Sequence, residues 1–306
     1  MGTFVESGSN IEQWLRRYLV WEKIYSIRME EAKMKSGCCA FLFCATLSAQ
    51  WLNQLTPGIP RTKDGKPDLS APAPRTADGK PDLSGVWEAE AATRAELLRG
   101  LPDGVNLLGE DSTSRYFINI LADFKPQEVP ILPSALAVFR ERAATGGKDF
   151  SLTRCLPSGL PVAEFAPEPH KIIQMPGLIV VLYEADMSFR QIYMDGRKLP
   201  VDPQPTWLGY SVGRWEDDSL VVDVNGFNNK SWLDAAGHPH SGEMHLTERF
   251  RRIDFGHMEI EVTIDDPENY TKPFTVKSNQ VLRADTDLLE FVCLENEKDA
   301  NHYSGH

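Results

Sequence analysis

From about residue 170 onward, apolar and polar residues alternate along the chain, and turn-forming residues separate the alternating runs. Alternation with a period of two is typical of β strands that bury one face. The runs predict about nine strands, at 171–175, 178–183, 189–194, 208–215, 220–224, 245–253, 257–264, 274–282 and 288–294. Because the connections are short, we expect an antiparallel meander that closes into a barrel or folds into a sandwich and so leaves no long edge open.

Residues 88–150 are predicted to be mostly helical. Helices are expected at 91–99, 112–122 and 134–145. The first stops at Gly100, and the last follows Pro133 and ends at Gly146 and Gly147. We interpret residues 90–150 as a helical insertion or lid within a single β domain that spans 85–299, followed by a tail at 300–306.

The N-terminal part of the chain has the order of a secretory signal peptide. Lys33 and Lys35 precede an apolar run at 39–47, and small residues follow it up to Ala49. The run is too short to span a bilayer, and a short buried helix is the alternative interpretation. We predict a signal peptide at 34–49, a spurious or disordered extension at 1–33, and a periplasmic or secreted mature protein.

The cysteines fit this prediction of export. Cys38, Cys39 and Cys44 would leave with the signal peptide, and Cys155 and Cys293 would remain. Two cysteines in an exported chain are naturally interpreted as one disulfide, and two unpaired buried thiols are the alternative.

A tandem repeat precedes the β domain. The sequence of residues 60–70 recurs at 74–84, and each copy holds an Asp-Gly turn and two prolines. Such a segment is expected to be extended with a tight bend. We interpret residues 50–84 as a linker or surface strap, because a calcium loop would need more acidic ligands at closer spacing.

Two resemblances to known families follow from these segments. The end of the second repeat, "LSGVW", resembles the Gly-x-Trp opening of lipocalin-like (calycin) barrels, in which a tryptophan plugs one end. The next predicted strand comes some 80 residues later, which departs from that family. Over most of residues 50–300, the segments "PGIPRTKDGKPDLSAPAPRTADGKPDLSGVW", "PTWLGYSVGRWEDDSLVVDVNGFN" and "VCLENEKD" resemble a family of uncharacterised exported proteins of environmental bacteria. That resemblance implies export and no particular activity.

Charge and missing motifs narrow the classes of function. The net charge is −12 and there is no basic run, which disfavours nucleic acids and anionic membranes as partners. The sequence has no Gly-x-Ser-x-Gly elbow, phosphate loop, dinucleotide fingerprint or His-Glu-x-x-His motif. The expected partner is therefore a small-molecule ligand, and no cofactor is expected unless the histidines described next bind zinc.

Three histidines, His238, His240 and His245, lie within eight residues. Three imidazoles and a water would suit a catalytic zinc ion. His240 or His245 could instead act alone as a general base, and histidines on a polar loop are often simply solvated.

Strand alternation gives a second candidate site. Glu248 and Arg190 each share a strand face with apolar neighbours, so both are predicted to point inward. A buried charge is costly unless it is paired, and we therefore predict that Arg190 pairs with Glu248. The pair would either fix the barrel or form a polar site in an apolar cavity, where Glu248 would have a raised pKa and act as an acid or base.

Further candidate ligand contacts are weaker. Asp223 lies between two valines and could face solvent or join the inward cluster. Aromatic residues near 203–205 could stack on a ring or belong to the core; they are Tyr193, Trp207, Tyr210 and Trp215. The polar run at 293–299 could line the barrel mouth or form a charged tail.

Three hypotheses of function remain. The first is an exported β-barrel that binds a small, partly apolar ligand in its interior. The second is a hydrolase, lyase or isomerase of the same fold that uses Glu248 with His240 or His245. The third is a structural or interaction module with a filled core.

Overall fold

The computed structural model describes residues 55–99, 113–145 and 147–293. The predicted signal peptide at 34–49, the extension at 1–33 and the tail at 300–306 lie outside these residues. So do residues 100–112, in the middle of the predicted helical insertion.

Nine strands form a closed barrel, which is one of the two arrangements that the alternation predicts. The strands are β1 Gly85–Ala89, β2 His170–Met175, β3 Leu178–Tyr183, β4 Phe189–Tyr193, β5 Tyr210–Glu216, β6 Ser219–Asn225, β7 His245–Arg252, β8 His257–Asp265 and β9 Phe274–Leu282. They neighbour one another in sequence order, and β1 pairs with β9 to close the barrel. The prediction of a mainly β barrel with a helical insertion before most of its strands is confirmed.

Helices occur in the long connection between β1 and β2. They are α1 Arg94–Arg99, α2 Arg115–Ile118, α3 Pro133–Ala144, a 3-10 turn Ser151–Arg154 and α4 Val162–Phe165. The predicted helix at 112–122 is wrong beyond Ile118, because Asn119 has an extended backbone with φ −148°. The prediction did not include α4.

Two details of the predicted sheet are also wrong. Residues 288–293 form no strand, because β1, which the alternation did not reveal, takes the place beside β9. In addition β4 and β5 are parallel rather than antiparallel, since the connection at 194–209 returns to the end of the barrel where β4 begins.

The two ends of the barrel differ. At one end, here called the strap end, the hairpin turns at 176–177, 217–218 and 253–256 meet the repeat segment. At the other, here called the loop end, lie the long connections at 90–169 and 226–244. Charged side chains accumulate inside the barrel at the loop end.

The repeat forms a strap of two matching modules. In each module an arginine bridges to a proline six residues later, Arg61 to Pro67 and Arg75 to Pro81. The same two arginines pair with aspartates of the barrel, Asp285 and Asp218. Each copy therefore docks in the same way on a different part of the barrel.

Trp87 lies buried on β1 beside the strap. Its Nε1 donates a hydrogen bond to the Leu83 carbonyl at 2.9 Å. The guanidinium of Arg252, at the end of β7, lies 4.9 Å from its ring and donates to the carbonyls of Asp82 and Phe255. The stacking of Arg252 on Trp87 and the hydrogen bonds of Arg252 to these carbonyls therefore connect the strap, β1 and β7 at the strap end.

Cys155 and Cys293 form a disulfide with an S–S distance of 2.02 Å. The predicted pairing is confirmed. It joins the segment just before α4 to the chain after β9, at a separation of 138 residues.

Candidate functional site

Eight polar side chains lie buried inside the barrel toward the loop end, and we call them the interior polar cluster. They come from α4 and from the inward faces of six strands. The members are Glu164, His170, Tyr183, Arg190, Ser211, Glu248, Ser278 and Gln280.

Arg190 is the centre of this cluster. It donates from Nη1 and Nη2 to the two carboxylate oxygens of Glu248, and its Nη1 also lies 3.1 Å from Glu164 Oε1. Its Nε donates to Ser211 Oγ at 2.9 Å. The side chains of Arg190 and Glu248 are 1% and 0% exposed. The predicted contact is therefore formed, because both residues occupy inward positions of their strands.

Glu164, which sequence reasoning missed, is the second carboxylate of the cluster. All four residues of α4 are buried, so this short helix inserts its side chains into the loop end. Glu164 Oε1 accepts a hydrogen bond from Tyr183 Oη at 2.6 Å, and the Glu164 carbonyl accepts one from Gln280 Nε2 at 3.0 Å. A single carboxylate within the apolar run 160–166 was the available signal.

Three buried atoms of the cluster have no hydrogen-bond partner among the described residues: Glu164 Oε2, His170 Nε2 and Gln280 Oε1. The first two are 3.9 Å apart, which is too long for a hydrogen bond. Buried polar atoms are nearly always paired in folded proteins. Three such atoms in one cluster therefore mark a place where a further polar group would be stabilised.

Burial sets the protonation of the cluster. It lowers the pKa of His170 to about 4, so the imidazole is neutral at neutral pH. It raises the pKa of Glu248, although the charge of Arg190 acts in the opposite direction. For Arg190 burial acts to lower the pKa, but the charges of Glu248 and Glu164 outweigh it and raise the pKa. One guanidinium thus faces two carboxyl groups.

The three histidines near residue 240 have separate partners. His238 Nδ1 lies 2.5 Å from Asp234 Oδ2, and its ring stacks on Phe139 at 4.4 Å. His245 lies on the outer face of β7, with Nε2 3.9 Å from Asp223 Oδ1. In the parts of the chain that the structure describes, no group of three or more histidine, cysteine, aspartate or glutamate residues is arranged to hold a metal ion. The zinc hypothesis therefore finds no site there.

His240 is buried with both ring nitrogens engaged. Nδ1 faces the Ser241 carbonyl at 3.0 Å, so this nitrogen must carry the proton, and Nε2 then accepts from Ser231 Oγ at 2.8 Å. Burial lowers the pKa of His240. Such a histidine is well suited to holding the loop at 226–244 in place.

The predicted partnership of Glu248 with His240 or His245 is not formed within the described structure. His245 is three positions from Glu248 on the same strand, so the two side chains point to opposite faces. His240 contacts the two serines of its own loop instead. The histidine that accompanies the buried carboxylates is His170, at the start of β2.

The other predicted ligand contacts, apart from Trp215, lie outside the barrel interior. Tyr193 and Tyr210 stack at 5.2 Å on the outer face, and Arg197 lies 3.8 Å over the Tyr193 ring. Asp223 also faces outward, where it pairs with Arg214. These groups satisfy one another on the surface, and Trp215 packs against the core.

A cavity of about 600 Å³ lies on the outside of the loop end. Trp207, another predicted contact, is part of its lining, whereas Arg190 and Glu248 are not. Of the C-terminal run 293–299, only Cys293 falls within the described residues, and it is held by the disulfide.

Comparisons with models of known protein families, with curated proteins and with solved structures found no match. No helix in the described ranges has both the length and the apolar character that crossing a bilayer requires.

Proposed function

We propose that this protein binds a small, partly apolar molecule inside the loop end of its barrel, and that a hydrogen-bond donor of the ligand contacts Glu164, His170 and Gln280. The observation that carries the proposal is the set of three buried, unpartnered polar atoms in the interior polar cluster. A group with two or more N–H hydrogens, placed between Glu164 Oε2 and His170 Nε2, which are 3.9 Å apart, would satisfy both atoms, and a hydroxyl would satisfy one of them.

Charge and chemistry favour an amine or hydroxyl as the bound group. Glu164 Oε2 and Gln280 Oε1 only accept hydrogen bonds, and the neutral His170 can accept one at Nε2. Two buried carboxyl groups face a single arginine, so a cation would reduce an unfavourable excess of negative charge. The apolar part of the ligand would contact the aliphatic side chains of the barrel, such as Ile172 and Val181.

We place this binding outside the cytoplasm. The signal-peptide pattern at 34–49 supports export, as does the Cys155–Cys293 disulfide, since disulfides persist mainly in oxidising compartments. Neither observation depends on whether the interior polar cluster binds a ligand.

The test is ligand-observed NMR with three probes of similar size: benzylamine, benzyl alcohol and ethylbenzene. We expect the amine to bind best, the alcohol next and the hydrocarbon least. Glu164→Gln keeps the size of the side chain and the hydrogen bond from Tyr183 but removes the charge, and it should abolish the preference for the amine.

Glu261→Gln is the matched control, because Glu261 lies on the outer face of β8 and should not affect binding. Binding of none of the probes, or equal binding of the amine and the hydrocarbon to the wild type, would contradict the proposal.

A second candidate function is acid–base catalysis in the same cluster. Burial moves the pKa of Glu248 upward and that of His170 downward, which is how paired acids and bases are prepared in enzymes. The variant Glu248→Gln distinguishes binding from catalysis when the concentration of the best-binding probe is followed over time. A binder converts no probe, in the wild type or in the variant, whereas an enzyme converts the probe and loses that turnover in Glu248→Gln.

A further inference from the structure

We infer that the cavity on the outside of the loop end is a second ligand site, which binds a small carboxylate carried on a six-membered ring. The cavity lies beside α3 and the 3-10 turn, has a volume of about 600 Å³, and is separate from the interior polar cluster. This volume is within the range of typical small-molecule sites, roughly 300–1,000 Å³.

The charge of the lining favours an anion. Three cationic side chains, Arg142, Arg154 and Lys230, line the cavity, against the two anionic side chains of Glu141 and Asp149. The chain as a whole has a net charge of −12, so this local balance differs in sign from that of the molecule. A bound carboxylate would meet more positive than negative charge.

Two of these cations, Lys230 and Arg142, are available to a ligand. The third, Arg154, is not, because it already faces Asp149 at 3.6 Å. Lys230 is exposed and has no ion pair with any residue that the structure describes. Arg142 donates one hydrogen bond, to the Gly237 carbonyl at 3.1 Å, while its guanidinium lies 4.8 Å from the Trp232 ring centre. This stacking holds the Arg142 side chain in a fixed orientation at the cavity.

Ser151 supplies an independent sign of a ligand. It lines the cavity, is 2% exposed, and its hydroxyl has no hydrogen-bond partner among the described residues. A buried hydroxyl without a partner costs free energy, and a ligand oxygen would recover it once the Ser151 side chain turned toward the cavity. Carboxylates and ring hydroxyls both offer such an oxygen.

The apolar part of the lining suits a ring. Trp207 is half-buried, so part of its indole faces the cavity, and Val138 and Leu156 are each 37% exposed. Indole rings pack well against flat rings and against the apolar face of a sugar. Aromatic acids and sugar acids share the chemistry of a ring that bears a carboxylate.

The experiment is isothermal titration calorimetry of the purified protein with benzoate and with glucuronate. Benzamide and methyl glucoside serve as neutral counterparts. We expect at least one carboxylate to bind, its neutral counterpart to bind at least tenfold more weakly, and added NaCl to weaken the interaction. Better binding of benzoate would identify the ligand as an aromatic acid, and better binding of glucuronate would identify it as a sugar acid.

Variants locate the site. Lys230→Gln should weaken carboxylate binding about tenfold, as expected for loss of a hydrogen bond to a charged group. Trp207→Ala should remove the advantage of the ring-bearing carboxylate over acetate. Lys63→Gln, at an exposed position of the strap, is the matched control and should leave binding unchanged. Glu164→Gln, inside the barrel, should also leave it unchanged, which distinguishes this site from the interior one.

Three results would overturn the inference. They are no binding of either carboxylate to the wild type, equal affinity for a carboxylate and its neutral counterpart, and an equal effect of Lys63→Gln and Lys230→Gln.

Discussion

Arg190 holds together two carboxyl groups that would otherwise repel each other in the barrel interior. It contacts both Glu164 and Glu248, and none of the three side chains is more than 1% exposed. Charges in such an environment depend on their partners far more than charges on the surface. The contribution of this arginine should therefore exceed that of any surface ion pair.

Arg190→Met should lower the free energy of unfolding by about 3–5 kcal/mol, because it leaves two carboxyl groups buried without their cation. Urea denaturation measures the change. Arg249→Met is the control, since Arg249 pairs with Glu216 where both side chains are 41% exposed, and its loss should cost about 1 kcal/mol or less. Equal losses in the two variants would show that the interior pairing is unimportant.

His170 should make stability depend on pH. Burial lowers its pKa to about 4 in the folded protein, against 6.5 for an ordinary histidine. Between these values the unfolded chain binds a proton that the folded protein does not, so the free energy of unfolding should fall as the pH falls from 6.5 to 4. The shift corresponds to a loss of up to about 3 kcal/mol.

His170→Gln should remove this part of the pH dependence. Two groups face His170, namely Glu164 and Tyr183, and both are present in the wild type and in the variant. The difference in pH dependence between the two proteins therefore measures the contribution of the imidazole. Urea denaturation at several pH values between 4 and 7 is the measurement, and His257→Gln, at an exposed position, should keep the wild-type slope. If the free energy of unfolding of His170→Gln falls with pH as steeply as that of the wild type, His170 is not the source of this pH dependence.

At the scale of elements, the strap shows how a repeated sequence becomes a repeated contact. Both copies pair an arginine with an aspartate of the barrel, at Asp285 and at Asp218. Between the two copies, the turn of the β7–β8 hairpin forms backbone hydrogen bonds with the strap. Gly256 N donates to the Leu69 carbonyl at 2.7 Å, and Phe255 N donates to the Ala71 carbonyl at 2.7 Å.

Gly256→Ala should detach the strap from the barrel. A Cβ at this position would come within 2.4 Å of Leu69 Cβ and 2.9 Å of Leu69 Cα, so the strap backbone would have to move. Limited proteolysis should then cut the segment 55–84 several times faster than in the wild type. Gly242→Ala, where an added Cβ comes no closer than 3.5 Å to Phe227 O, should be cut at the wild-type rate. Equal rates for the two variants would contradict the prediction.

Strand alternation predicted eight of the nine barrel strands and the inward direction of Arg190 and Glu248, because the period of two assigns each side chain to a face. It could not place β1, whose buried positions are irregular and whose neighbour β2 follows some 80 residues later. It also could not find Glu164, since a four-residue helix has too few positions to show a period.

At the scale of the whole molecule, the disulfide joins two segments 138 residues apart, on either side of the barrel strands β2 to β9. It fixes the chain just before α4, the helix that carries Glu164 into the barrel. The covalent link therefore stabilises the whole fold and also the position of the interior polar cluster.

Replacing both Cys155 and Cys293 by alanine should lower the free energy of unfolding by up to about 5 kcal/mol, the value that the chain-entropy model gives for a loop of this length. Urea denaturation measures the loss, and the wild type in the presence of reductant should unfold at the same midpoint as the variant. Mass spectrometry of a non-reduced digest should show the two cysteine peptides linked. Free thiols at both positions in the oxidised protein would refute the pairing.

The sequence by itself predicted a meander of β strands, the disulfide and the contact of Arg190 with Glu248. In each case a local property was sufficient: a period of two, a count of cysteines, or the cost of an unpaired buried charge. Only the tertiary structure decided which groups meet at a distance. It separated His238, His240 and His245 onto different partners, brought Glu164 and His170 beside Arg190, and placed Lys230 and Arg142 around one cavity. These contacts depend on how a barrel closes and how its long loops pack over one end, which no local pattern of residues records.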